Sequence, residues 1–251
     1  MPPGARADDI RIVPPARRLA AVALSALAFC GAAVAAATGD PQYQPAPADQ
    51  SWADAIVLNA KDLGTGWRSS GSAGTMTGAG GESATCSGPD ESDLVLTGGS
   101  YSPDFLRADG AYVSSSAIVW QTAEQAQADW DRNVQPGLMS CLAAELEASS
   151  TQKVKVVVTA RRQLEWPALA PRSAAYRLSL VLKARVKVHK KWRNVSVRAT
   201  ADFIAVGTGR ATAMLWTVSY DKQPLGDFSK PRYSIVMVRR MAVDPATAPP
   251  K

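Results

Sequence analysis

Fourteen residues, Tyr176–His189 (YRLSLVLKARVKVH), alternate without a break. Tyr176, Leu178, Leu180, Leu182, Ala184, Val186 and Val188 fall on one side, and Arg177, Ser179, Val181, Lys183, Arg185, Lys187 and His189 on the other. A period of two sustained this long predicts a strand with one buried face and one polar, mostly cationic face. The same alternation runs through Lys153–Ala160 and Val195–Phe203, and Ala111–Gln121, with serines in its centre, and Ala211–Tyr220 read as further strands. Lys190–Arg193 (KKWR) and Gly207-Thr208-Gly209 read as turns, the latter supplying glycines where positive φ is needed. Connections this short predict antiparallel neighbours.

Between the strands the period lengthens to that of a helix. Ser51 predicts a cap for a helix with Trp52, Ile56 and Ala60 in one stripe, ending before Gly64 and Gly66. Thr122, with Gln125 three residues on, predicts a capping box ahead of a face made by Ala123, Ala126, Trp130 and Val134. Pro136-Gly137 breaks that run, and a second helix places Leu138, Cys141, Leu142 and Leu146 together. A last helix from about Ser229 aligns Tyr233, Val236, Met237 and Met241, with Arg239-Arg240 near its C-terminus. The expected class is α+β, a single domain over 51–244 with an antiparallel sheet and helices mainly on one face. Residues 38–50, rich in Pro, Ala and polar side chains, read as a linker, and 245–251 as a flexible tail.

The N-terminus changes the picture of where the domain resides. Arg6, Arg11, Arg17 and Arg18 precede the uncharged run Leu19–Ala37, which ends in small residues offering A-x-A sites. This is the pattern of a secretory signal, cleaved or retained as an N-terminal anchor over 1–37. Cys30 follows the bulky Phe29, so the lipoprotein reading competes with its being part of the apolar run. Beyond the signal two cysteines remain, Cys86 and Cys141, and an oxidising compartment favours their pairing. The 54 residues between them set a loop whose closure restricts the unfolded chain by roughly 4 kcal/mol.

Charge is split along the chain. Residues 40–149 hold fifteen acids and four bases, and residues 150–251 five acids and twenty bases. Either the halves neutralise each other or the second half presents an anion-binding surface. The anion-binding candidates are Lys183, Arg185, Lys187, Lys190, Lys191 and Arg193, with Trp192 among them as an amphipathic contact. Anionic membrane or cell-wall polymer is the expected class of surface partner, and no nucleic-acid motif occurs. Two cysteines and one histidine do not make a structural zinc set, and no cofactor motif is present. No G-x-S-x-G occurs, and the single histidine has no visible serine–aspartate arrangement. Asp90/Glu91 and Asp129/Asp131 are neighbouring carboxylates whose ordinary explanation is solvation, although hydrolytic pairs need not be close in sequence.

The segment Asp62–Trp67 (DLGTGW), Cys86 and Cys141 around a strand and helix, and Gly207–Met214 (GTGRATAM) together resemble an actinobacterial family of exported domains, the extracellular sensor domains of mycobacterial PknH-type receptor kinases. The resemblance implies a bent antiparallel sheet with helices around a cleft that binds an external small-molecule or lipid ligand. The kinase members carry two disulfides where this mature chain can form one, and no kinase motif occurs here. The expected function is therefore an exported, non-catalytic ligand-binding or sensor-like envelope protein. The alternatives are an adhesion-type protein holding anionic surfaces with its basic sheet face, and a hydrolase with dispersed carboxylates.

Overall fold

A computed structural model describes residues 39–76, 88–134, 137–188, 191–220 and 229–245, with only the backbone described at 187, 188 and 229. Along the chain these form β1 (Gln42–Tyr43), α1 (Pro47–Ile56), α2 (Ala60–Leu63), β2 (Trp67–Ser70), β3 (Gly74–Thr75), β4 (Val95–Tyr101), β5 (Asp104–Arg107) and β6 (Tyr112–Trp120). There follow α3 (Ala123–Asn133), α4 (Leu138–Ala148), β7 (Val154–Gln163), β8 (Arg172–Val188), β9 (Lys191–Thr208), β10 (Ala211–Tyr220) and α5 (Ser229–Met241). The strands make one sheet in the order β1-β4-β6-β10-β9-β8-β7, with β2, β3 and β5 attached beside it. Only the short β1–β4 pair among these is parallel. The α+β single-domain class is as expected.

The helices do not gather mainly on one face; they divide between both. Trp52, Ala53 and Ile56 of α1 and Tyr233, Met237 and Met241 of α5 pack on Val113, Ala117, Val119, Ile204, Val206, Ala213 and Leu215. On the other face Met139, Ala143 and Leu146 of α4 cover Tyr176, Leu178, Leu180, Ala199 and Ala201. Ala126 of α3 closes over Leu96, Ile118 and Trp120. Double coverage explains why β9 is apolar on successive residues through Ile204-Ala205-Val206, all buried. Burying Leu178 and Leu180 contributes about 1.5–3 kcal/mol each.

Two boundaries differ from expectation for local reasons. The linker 38–50 is largely folded: Gln42 and Tyr43 pair with Val95 and Leu96, and α1 begins at Pro47, not after Ser51. Proline suits the first helical turn, where its missing N–H has no helical partner. Gly98 lets α1 lie against the sheet, because a Cβ there would come within 2.5 Å of the Asp49 carbonyl oxygen. Lys191–Arg193 are strand and not turn, since Val188 already pairs with Lys191. The expected signal at 1–37, with Cys30, and the tail residues 246–251 lie outside the described residues. Among the described residues no helix is long and apolar enough to cross a membrane.

Candidate functional site

β8 and β9 pair from Arg172↔Gly207 to Val188↔Lys191, a far longer ladder than their neighbours share. β7 starts at Val154, opposite Ala184, and β10 ends at Tyr220, opposite Ala199. Cross-strand partners share a face, so register sorts the candidates. On the α5 side of the sheet, Lys155, Lys183 and Ser196 form one row and Arg185 and Asn194 the next. Trp192 follows on that face, with the Arg185 guanidinium 5.6 Å from its ring centroid. Lys183, Arg185 and Lys155 are exposed, with Val157 and Val181 half-buried behind them on the same face.

The predicted set is therefore only partly brought together. Lys191 and Arg193, opposite Val188 and Val186, lie on the other face of the ribbon. Lys187 is placed by register opposite Trp192, but its side chain, together with Lys190 and His189, lies outside the described residues. Lys155, not singled out in the sequence, joins the site because β7 runs antiparallel to β8 in that register. Among the described residues, no ion pair engages Lys155, Lys183, Arg185, Lys191 or Arg193.

Nearer the body the same face is internally neutralised. The Arg177 Nε donates to Asp202 Oδ1 at 2.6 Å, and Lys230 of α5 pairs with the other Asp202 oxygen. Asp202 is 1% exposed, so the carboxylate is a buried link between sheet and helix. Sequence reasoning did not single out Asp202, and no pattern along the chain signals that Lys230 of α5 reaches it.

Two carboxylates, Glu91 and Asp129, also converge in a buried position. The Asn133 amide donates to Glu91 and, at 2.8 Å, to Asp129 Oδ1. The Trp120 indole N–H reaches Asp129 Oδ2 at 3.2 Å. Burial raises the Glu91 carboxyl to about 7; the Asn133 hydrogen bond opposes that rise and the Asp129 charge adds to it. Asp129 is raised by burial as well. The sequence pairs Asp90/Glu91 and Asp129/Asp131 thus contribute one member each. Glu91 is 5% and Asp129 4% exposed. Among the described residues no cluster of His, Cys, Asp and Glu suits a metal ion. Cys141 is half-buried on α4; Cys86, its expected disulfide partner, lies outside the described residues.

No family model matches the chain, and no curated protein does. Among solved structures, the fold is similar to the extracellular domain of PknH from Mycobacterium tuberculosis, with 8% sequence identity and a TM-score of 0.39. The alignment covers 80% of this chain and 99% of that one.

Proposed function

We propose that this chain is an exported, non-catalytic, sensor-like binding domain of the bacterial cell envelope whose basic sheet face takes an anionic phospholipid surface as its ligand. The observation that carries the reading is the row Lys155–Lys183 with Arg185 beside it. Like charges directly opposite on neighbouring strands destabilise a sheet by a few tenths to about 1 kcal/mol. Elsewhere this protein neutralises such charges, as at Asp202; here it leaves them exposed. An anionic surface supplies the missing counter-charge, at about 1 kcal/mol per basic residue close to it. The burial of Glu91 and Asp129, which accept from Asn133 and, at Asp129, from Trp120 as well, supports a non-catalytic role.

The test is co-sedimentation of the protein, as processed by its expressing cells, with phosphatidylglycerol–phosphatidylcholine vesicles and with phosphatidylcholine alone. Binding to the acidic vesicles at low salt and its loss at high salt are expected. Lys155→Glu with Lys183→Glu should weaken it by tenfold or more. Equal partition to both vesicle types, or to neither, overturns the reading.

A further inference from the structure

β7 is the last strand of the sheet, and its outer edge is closed along only part of its length. The Leu164 N–H donates to the Ala175 carbonyl at 2.8 Å, so position 164 faces β8. In an antiparallel ladder alternate residues turn their N–H and C=O groups toward and away from the partner. Arg161 lies opposite Leu178 and Gln163 opposite Tyr176, and the main-chain groups of both therefore point away from β8. Before the irregularity at Val158/Ala160, the outward N–H groups of Val156 and Val158 are taken by Ser150 Oγ and Glu147 Oε1. No strand or side chain among the described residues takes those of Arg161 and Gln163. Residues 159–163 are all exposed.

An open edge of this kind pairs with a further strand, and its charge selects which one. Arg162 shares a face with Arg177 across the β7–β8 pair, while Arg161 lies on the reverse face with Leu178. Among the described residues no ion pair engages Arg161 or Arg162; Arg161 Nη1 donates to the neutral Ser140 Oγ at 3.0 Å. A second copy of the chain in two-fold antiparallel register would set arginine against arginine across the new pair, and like charges placed so destabilise a sheet. Successive side chains of a strand point to opposite faces. Two adjacent carboxylates on an incoming strand therefore meet one arginine on each face. We propose that residues 161–163 of β7 accept an extended acidic segment of a partner protein as an added strand, its main chain bonded to Arg161 and Gln163 and its carboxylates paired with Arg161 and Arg162. The proposal goes beyond the phospholipid reading and uses none of its residues.

The probe is a labelled, end-blocked octapeptide of valine and threonine with glutamate and aspartate at its centre. Its binding to the protein, as processed by the expressing cells, is read by fluorescence anisotropy. Binding is expected, with slowed hydrogen exchange at the Arg161 and Gln163 amides and none at Leu164, which is already bonded. N-methylation of the central peptide nitrogens keeps the charge but should abolish binding, and so should exchange of the two acids for lysines. Arg161→Glu with Arg162→Glu should weaken binding by tenfold or more. Gln163→Pro should do the same, because it removes an outward N–H and no bond to β8. Unchanged thermal unfolding shows that these variants fold, and the peptide controls do not depend on them. Equal binding of the methylated peptide reduces the edge to charge attraction and overturns the proposal. So does an absence of binding, or a dimer in sedimentation velocity that Gln163→Pro dissolves.

Discussion

At the scale of single residues, Glu91 is a buried carboxyl held well above its ordinary range. It is 5% exposed, its carboxyl is raised by burial to about 7, and it shares the Asn133 amide with Asp129. Unfolding releases it to an ordinary carboxyl near 4.5. Between these values the folded state binds more protons than the unfolded one, so stability falls as pH rises. The contribution is fully present below about 4.5 and lost as pH passes 7, a change of about 3 kcal/mol. Urea unfolding at pH 5 and pH 8 should show this decline, and Glu91→Gln should flatten it and leave the variant more stable than the parent at pH 8. A parent curve level across that window would remove the buried charge from the account. The Glu91 backbone N–H donates to the Gly39 carbonyl.

At the scale of elements, β7 is the exposed edge of the sheet, and its protection comes from the end of α4. The Val158 N–H donates to Glu147 Oε1 at 2.9 Å and the Val156 N–H to Ser150 Oγ at 3.0 Å. Open edge N–H groups invite pairing with another chain. Glu147→Ala with Ser150→Ala should cost about 1–2 kcal/mol and give concentration-dependent association in sedimentation velocity; a monomer at all concentrations would place the protection elsewhere. Such capping explains what was legible in the sequence. The alternation of β7 and β8 and the Thr122 cap, which accepts from the Gln125 N–H, depend on neighbours along the chain. Gln125 itself was misread, since its side chain accepts from the Val95 N–H, a partner thirty residues away. Pro47–Gln50 was read as linker for the same reason: its composition is that of a loop, and what orders it is the sheet beneath, where the Gln50 side chain bonds Gly99 at both its N–H and carbonyl. The two-sided helix coverage was signalled by the unbroken apolar run through Ile204-Ala205-Val206, which a one-sided sheet does not need. The cationic face was legible as a list, but register alone separates Lys183 and Arg185 from Lys191 and Arg193.

At the scale of the whole molecule, the opposed charges of the two halves are used twice. At one end they neutralise. Arg210, at the β9–β10 turn, binds Asp49 of α1 and Asp244 beyond α5, each at 2.9 Å, and its guanidinium lies 5.6 Å from the Trp52 ring centroid. Arg240 of α5 donates to the Val57 carbonyl and pairs with Asp62 of α2 at 2.8 Å, while the Trp52 indole N–H donates to the Arg240 carbonyl. These contacts join the acidic first helices to the basic C-terminal helix. At the opposite end of β8 and β9, Lys183, Arg185, Lys191 and Arg193 have no such partner among the described residues. The two uses separate under mutation. Arg210→Ala leaves Asp49 and Asp244 facing each other with little water, since their side chains are 10% and 16% exposed. Breaking a largely buried pair in this way costs about 3–5 kcal/mol. Urea unfolding should show that loss, while affinity for acidic vesicles, measured where the variant is still folded, stays within twofold of the parent. The reverse holds for Lys183→Glu, which should lower vesicle affinity and leave the unfolding midpoint unchanged or raised, because it relieves repulsion from Lys155. A variant at Arg210 that lost vesicle binding while folded would mean that the neutralised end, not the ribbon, meets the surface.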